Sequence, residues 1–238
     1  MRYVPDRTGR FVERPHYEGA ELDRIFERLV TEFLKAHRGN IAFPITTDDL
    51  TVLIERDTED LDAYADLSAY GSDVEGVTEF VPKKRKPRVR IAQDLSSGEN
   101  RENRYRTTLT HEYGHVHLHG YLFAMGTTAG LFGAPGKADV IACKRDTMIT
   151  AKQTDWMEWQ AGYACGAILM PASRVKAAVD DYRKGADIYG PVPAATEHGR
   201  AMIERLVENF QVSRDAARVR LSVLGVLGAA PAAGSLFR

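Results

Sequence analysis

The sequence predicts a helix-rich α+β fold with a small antiparallel sheet and a C-terminal helix-turn-helix-like region. Three observations lead to this prediction. Apolar residues recur at three- and four-residue spacing over much of the chain, two short segments near residue 80 alternate in polarity, and Ser or Thr stands where several helices would begin. We expect two domains, residues 1–184 and residues 194–238.

Length, charge and cysteine content restrict the class of protein. Of the 238 residues, 44% are hydrophobic and 27% are charged, which is typical of a chain that buries a substantial core. Lys and Arg number 32 against 33 Asp and Glu, so the net charge does not favour a nucleic-acid or membrane-surface protein. Residues 1–14 lack the apolar segment of a secretory signal, so we expect a cytoplasmic protein without membrane contact. We expect Cys143 and Cys165 to be reduced thiols.

The N-terminal part predicts two helices. Apolar residues share one helical face over residues 21–38, and Gly39 and Asn40 end that helix. Thr46 and Asp49 have the spacing of a capping box ahead of the apolar residues 50–54, which predicts a shorter second helix.

A β-hairpin follows a segment with weak periodicity, residues 57–76. Residues 77–81 and 88–92 show the alternation of strands and are joined by a basic, proline-bounded run, residues 82–87. A solvated loop beside a sheet edge is favoured over a nucleic-acid patch for this run.

The C-terminal half predicts further helices. A helix runs from residue 100 to about 119, where Gly120 closes it, and residues 127–150 are expected to be mainly irregular. Another helix covers residues 155–169 and stops at Pro171. Three later helices have Ser or Thr at the position of the N-cap, namely Ser173, Thr196 and Ser213. The helix that Ser173 caps is expected to extend to residue 182. Residues 185–193 are predicted to be a linker, and residues 228–238 a frayed tail.

His111, Glu112 and His115 form a His-Glu-x-x-His motif. On a helix, this spacing sets both imidazoles on one face, one turn apart, where they can bind a metal ion. Glu112 points away from the face that carries the two imidazoles, and it is suited to act as general base for the water that attacks a peptide carbonyl. Two imidazoles and one carboxylate suit zinc, although manganese or iron could occupy such a site.

The residues after the motif narrow the choice of the third ligand. The metzincin pattern would need Gly and His where Leu118 and Tyr121 stand, so that branch is excluded. His117 points away from the ligand face and His119 lies two turns beyond His111, so a hydrogen-bonding role is favoured for both.

A catalytic zinc usually has three protein ligands and one open position, so a carboxylate from a later helix is expected. Glu158 is preferred because the small residues Ala161, Gly162 and Cys165 continue its helical face and permit close packing. Asp155, one turn earlier, is the second choice, and a solvated surface position for Glu158 stays open.

Three blocks of sequence resemble the ImmA/IrrE family of metallo-endopeptidases. They are YRTTLTHEYGHVHLH at residues 105–119, EWQAGYACGAILMP at residues 158–171, and FQVSRDAARVRLSVLG at residues 210–225. The resemblance implies a zincin-like, gluzincin-type domain, with His111, His115 and Glu158 as zinc ligands and Glu112 as catalyst. It also implies a protein substrate, since members of the family cut partner repressors of helix-turn-helix type. Gly162 departs from the family's asparagine, which could orient a metal-binding side chain.

Two other functions stay open. One is a non-catalytic, zinc-containing regulator that binds DNA or a protein partner through residues 196–224, where Arg214, Arg218 and Arg220 could meet phosphates; the balanced charge disfavours DNA. The other is a hydrolase of small amides, because the motif specifies activated water rather than a polypeptide. Three residues are alternatives for stabilising the oxyanion, namely Tyr121, Tyr163 and His198.

Overall fold

The computed structural model describes residues 1–80, 86–97, 101–124, 139–144 and 155–228. Contacts between residues divide the chain into two compact units, Met1–Leu169 and Met170–Arg238. The domain limits predicted from the sequence, 1–184 and 194–238, stay a prediction, because compactness alone does not define which segment folds independently.

The first unit combines five α-helices, one short 3-10 helix (Ser68–Tyr70) and six strands within the described ranges, so the α+β, helix-rich prediction is confirmed. In chain order, the α-helices and strands are β1 (Arg2–Pro5), β2 (Glu13–His16), α1 (Gly19–Arg38), α2 (Thr47–Asp57), β3 (Asp60–Ala65), β4 (Val74–Phe80), β5 (Arg88–Ala92), α3 (Gln93–Ser96), α4 (Glu102–Ala124), β6 (Asp139–Lys144) and α5 (Trp156–Leu169). β1 and β2 form a separate two-stranded antiparallel sheet.

The larger sheet has the strand order β3-β5-β4-β6. The predicted hairpin is confirmed, because β4 and β5 pair antiparallel; of the connection predicted over residues 82–87, residues 82–85 lie outside the described residues. The prediction of an antiparallel sheet is wrong for one strand, because β3 runs parallel to β5. β3 is an edge strand whose residues are mostly half-buried or exposed, so its sequence lacks the apolar alternation that would have marked it.

β6 corrects the prediction that residues 127–150 are mainly irregular. It pairs antiparallel with β4, with Val140 exposed and Ile141 and Cys143 buried. Its partner lies about 60 residues earlier in the chain, and such long-range pairing leaves a weak local signal. The rest of that prediction, over residues 127–138 and 145–150, falls outside the described residues.

The two N-terminal helices begin and end at local signals. α1 starts two residues earlier than predicted, where Glu21 Oε2 accepts a hydrogen bond from the Glu18 main-chain nitrogen at 2.9 Å, and it ends at Gly39, whose φ is 76°. α2 has the predicted capping box between Thr46 and Asp49. Because these signals use neighbouring residues, they can be recognised in the sequence.

α4 continues four residues past Gly120, which corrects the prediction that this glycine closes the helix. A glycine inside a helix costs only about 1 kcal/mol relative to alanine. Beyond Gly120, Leu122 packs in a buried cluster with Phe11, Phe80 and Trp156. Burial of a leucine contributes about 1.5–3 kcal/mol, which outweighs the cost of the glycine.

α4 and α5 approach closely at Gly114. A Cβ atom at Gly114 would lie 2.9 Å from the Cα of Ala161 and 3.0 Å from the Cβ of Ala164. On the same side, the Thr110 hydroxyl contacts the Cys165 sulfur at 3.2 Å. Cys165, like Cys143, is buried and forms no disulfide. The small residues therefore set the distance between the two helices that carry the motif and Glu158.

Gly114→Ala is expected to lower the free energy of unfolding by about 1–3 kcal/mol, because the added methyl group overpacks the interface between α4 and α5. Gly120→Ala is the matched control on the same helix, since a Cβ there meets no described atom within 4 Å. It should raise stability by about 0.5–1 kcal/mol through its helix propensity. Urea denaturation of the metal-free variants measures both values; equal effects at the two positions would contradict this account.

The second unit contains three described helices, which are α6 (Ala172–Gly185), α7 (Glu197–Phe210) and α8 (Arg214–Val223). The predicted caps of α7 and α8 are confirmed: Thr196 accepts from the Gly199 nitrogen at 3.0 Å, and Ser213 caps α8 in the same way. The predicted cap of α6 is wrong. Pro171 occupies the cap position in an extended conformation, which places Ser173 inside the first turn.

The short turn between α7 and α8 does not by itself define a DNA-binding motif, so the helix-turn-helix stays a prediction. The predicted tail beyond residue 228 lies outside the described residues. Two described helices, α1 with 20 residues and α4 with 23, have the length to cross a bilayer, but neither is apolar enough to do so.

Candidate metal centre

Three side chains from α4 and α5 converge in the first unit. His111 and His115 lie one turn apart on α4, and Glu158 lies in the first turn of α5. The Nε2 atom of His111 is 3.1 Å from Glu158 Oε2, and the Nε2 atom of His115 is 3.2 Å from Glu158 Oε1. The two Nε2 atoms are themselves 3.2 Å apart. One potential ligand atom from each residue thus lies within 4.8 Å of the others.

The cluster is buried. His111 and His115 have no exposed surface, and Glu158 is 8% exposed, so the alternative of a solvated Glu158 is wrong. Asp155, the second choice, is exposed. Burial alone would raise the pKa of Glu158, but the charge of His115 and the hydrogen bonds to both histidines lower it overall. Burial opposes charge on His115 as well, yet Glu158 raises the pKa of His115.

This donor set fits a zinc ion. Two imidazole nitrogens and one carboxylate are a common set of protein ligands in catalytic zinc sites, which keep a fourth position open. A carboxylate held as an anion among buried groups needs a compensating positive charge. A divalent cation at the point where the three side chains meet would supply that charge.

Glu112 lies beside the cluster and is also fully buried. Its Oε2 atom accepts a hydrogen bond from the Thr78 hydroxyl of β4 at 2.6 Å. Its Oε1 atom has no hydrogen-bond donor among the described residues. Burial raises the pKa of Glu112. A buried carboxylate oxygen without a donor is costly, which indicates that another group belongs next to it.

Gly76 of β4 makes room for Glu112. A Cβ atom at Gly76 would lie 2.8 Å from the Glu112 Cδ atom, and it would meet Oε1 more closely still. This role of Gly76 was not predicted from the sequence. A glycine inside a strand often marks a close approach of another group. Gly76 lies inside β4, one residue before the strand predicted over residues 77–81, so this signal was present in the sequence.

A hydrogen-bonded chain extends from the cluster on its α5 side. The Nδ1 atoms of His115 and His119 are 3.1 Å apart, and His119 Nε2 lies 3.0 Å from Gln160 Oε1. The hydrogen-bonding role expected of His119 is therefore observed. Gln160 supplies a side-chain amide near the site, whereas Gly162 has none to offer. The role of Gln160 was not predicted from the sequence.

His117 lies away from this cluster. Its ring centroid is 5.5 Å from that of Phe26 and 6.0 Å from that of Tyr113. Burial of the ring nitrogens lowers the pKa of His117, although part of its surface is exposed. The imidazole therefore serves packing between α4 and α1.

The three residues considered for the oxyanion have other partners. The Tyr121 hydroxyl lies 3.2 Å from that of Tyr3, and the Tyr163 hydroxyl donates to Asp23 Oδ2 at 2.9 Å. His198 Nδ1 lies 2.9 Å from the Tyr182 hydroxyl, within the second unit. The role of oxyanion stabiliser stays without an assigned residue.

The arginines of α8 do not form an open phosphate-binding surface. Arg220 is buried and its Nε atom donates to a main-chain carbonyl at 2.9 Å, so its expected contact with phosphates is wrong. Arg214 and Arg218 form ion pairs with Glu204 and Asp215. This weakens the DNA-binding alternative.

Comparison with known proteins agrees with the geometry. A family model described as the IrrE N-terminal-like domain, peptidase M78, matches residues 80–222. The match covers more than half of the chain and includes α4 and α5. Searches of the curated proteins and of the solved structures returned no match. The predicted resemblance is confirmed, and the chain belongs to the IrrE N-terminal-like domain family of M78 peptidases.

Proposed function

We propose that this protein is a zinc-dependent endopeptidase in which His111, His115 and Glu158 hold the metal. Glu112 acts as general base and then as general acid. The observation that carries the proposal is the convergence of three buried ligand atoms within 4.8 Å of one another, with the carboxylate of Glu112 beside them. Membership of a metallopeptidase family supports it. The zincin-like, gluzincin-type fold belongs to the same proposal.

A zinc ion held by His111, His115 and Glu158 would supply a Lewis acid, which makes water acidic enough to lose a proton near neutral pH. Glu112 receives the proton of the attacking water. Because Thr78 occupies Oε2, the Oε1 atom is the one that accepts this proton. The hydroxyl of Thr78 also fixes the carboxyl group in one orientation, which matters because proton transfer depends on alignment.

Burial adapts Glu112 to both of its proposed roles. A carboxyl group with an ordinary pKa is a weak base near neutral pH. Burial raises the pKa of Glu112, which strengthens it as a base. The same carboxyl group, once protonated, can deliver its proton to the amine that leaves when the peptide bond breaks.

Gly76→Ala is expected to lower kcat by about 100-fold, because a methyl group there displaces the Glu112 carboxylate by a distance on the order of 1 Å. Zinc content should stay at the wild-type level, since the three proposed ligands are on α4 and α5. Thr78→Ser is a matched control on the same strand, because it keeps the hydroxyl group that Glu112 accepts from. Steady-state kinetics and metal analysis of both variants test this, and an unimpaired Gly76→Ala enzyme would contradict it.

For the substrate, we propose a cytoplasmic protein partner, a transcriptional repressor of helix-turn-helix type. Support comes from the family, whose members are peptidases, and from the resemblance of the sequence to proteases that cut such repressors. This part of the proposal rests on analogy with relatives rather than on a feature of the site.

The test uses the full chain with one equivalent of zinc and a helix-turn-helix repressor from the same genome. Mass spectrometry of new N-termini should reveal cleavage at one or a few bonds, and none with the Glu112→Gln variant. A parallel incubation with a peptide library separates the two parts of the proposal. Cleavage of peptides but not of the repressor would reject the partner, whereas no cleavage of either would reject the endopeptidase.

A further inference from the structure

A chain of hydrogen bonds links the N-terminal hairpin to His115. Gln160 Nε2 donates to the main-chain carbonyl of Pro15 at 2.9 Å, and Gln160 Oε1 lies 3.0 Å from His119 Nε2. His119 Nδ1 lies 3.1 Å from His115 Nδ1. The three side chains are at most 1% exposed, so water does not compete for these contacts.

The direction of each hydrogen bond follows from the group at the end of the chain. A main-chain carbonyl only accepts, so the NH2 group of Gln160 must face Pro15 and its oxygen must face His119. An amide oxygen also only accepts, and His119 Nε2 therefore carries the hydrogen.

The same logic continues to His115. In a neutral imidazole, one nitrogen donates and the other accepts, so His119 Nδ1 accepts from the Nδ1–H group of His115. When His115 is neutral, its Nε2 atom then carries no hydrogen. This is the atom that lies 3.2 Å from both His111 Nε2 and Glu158 Oε1.

The surroundings of His119 favour its neutral form. The rings of His119 and Trp156 form an edge-to-face contact with their centroids 5.3 Å apart. The ring of His119 is fully buried, and its hydrogen-bond partner Gln160 is uncharged. An imidazolium ion in this position would lose its hydration and gain no carboxylate from that partner.

We propose that the carbonyl of Pro15, acting through Gln160 and His119, holds His115 in the tautomer whose Nε2 lone pair can bind a metal ion. His119 and Gln160 are thus positioning residues of the metal centre; the inference rests on the proposed metal site. Pro15 precedes the residues 80–222 that the family model matches, so β2 contributes to the site from outside that region. Partners that fix a ligand's tautomer typically change metal affinity 10- to 100-fold.

Three variants of the full chain test the relay. His119→Leu keeps the branched shape of the side chain but removes the acceptor at the Nδ1 position. His119→Asn places an amide oxygen at that position and should restore the hydrogen bond from His115. Gln160→Met keeps the length of the side chain and removes the group that fixes the tautomer of His119.

The first readout is the 15N NMR spectrum of the imidazole groups in the metal-free protein, recorded at a pH high enough for His115 to be neutral. We expect His115 of the wild type to be protonated on Nδ1 alone, and a mixture of tautomers in His119→Leu and Gln160→Met. The second readout is the zinc Kd from competition with a chelator, which should rise about 10- to 100-fold in those two variants. His119→Asn should retain the wild-type tautomer and most of the affinity.

The outcomes are distinguishable. A wild-type His115 protonated on Nε2, or an unchanged tautomer and Kd in both His119→Leu and Gln160→Met, would overturn the relay. Equal losses of zinc affinity and of apo-protein stability in His119→Leu and His119→Asn would overturn it too, because they indicate a packing role. The expected tautomer in a protein that binds no zinc would uphold the relay and reject the proposed function.

Discussion

Glu158→Ala is expected to weaken zinc binding by more than about 100-fold, beyond the range typical of residues that merely support a ligand. Glu158 contacts both histidine Nε2 atoms through its two oxygens, and it is the negatively charged member of the cluster. Without it, two neutral imidazoles would remain, and a divalent cation would be buried with less compensating charge. Competition with a chelator on the purified protein measures the change in Kd.

Asp155→Asn is the matched control for this prediction. Asp155 is the other carboxylate considered from the sequence, and it is exposed one turn before Glu158. The variant should bind zinc as the wild type does. Equal metal retention in Glu158→Ala and the wild type would remove Glu158 from the site, and a loss of zinc in Asp155→Asn would shift the assignment to that residue.

Glu112→Gln is expected to lower kcat by about 10²- to 10⁴-fold, the usual contribution of a general base or acid, while zinc content stays at the wild-type level. The amide has nearly the shape of the carboxylate, and its oxygen can still accept from Thr78. The NH2 group then occupies the Oε1 position and cannot take a proton from water. The variant thus separates proton transfer from metal binding.

Kinetics on a cleaved peptide, together with metal analysis, tests this second prediction. Glu102→Gln provides a control on the same helix, because Glu102 is exposed and its side chain contacts Thr47. It should leave both kcat and zinc content unchanged. Undiminished turnover by Glu112→Gln would contradict the role of Glu112, and loss of zinc in that variant would mean that Glu112 is itself a ligand.

The elements that could be predicted from the sequence are those with local signals. Thr46 and Ser213 each bond to a main-chain nitrogen three residues later, so their helices were recognisable from spacing alone. β3 and β6 were missed because their identity depends on partners elsewhere in the chain. Gly120 was misjudged because the packing of Leu122, which carries α4 onward, is a tertiary contact.

The candidate site shows the same division. The spacing of His111 and His115 is a property of one helix, and the small residues after Glu158 indicated which carboxylate would approach it. Gly76 and Gln160 could not be predicted in their roles. The register of β4 against α4 and the position of β2 bring them to the site, and neither leaves a pattern in the sequence near the motif.

X-ray absorption spectroscopy of the zinc-loaded full chain tests the metal centre most directly. We expect two imidazole nitrogens at about 2.0–2.1 Å and a carboxylate oxygen at about 2.0–2.2 Å from the metal, with no sulfur among its neighbours. A sulfur at about 2.3 Å, which would have to come from a cysteine or a methionine, or a spectrum with fewer than two imidazoles, would contradict it.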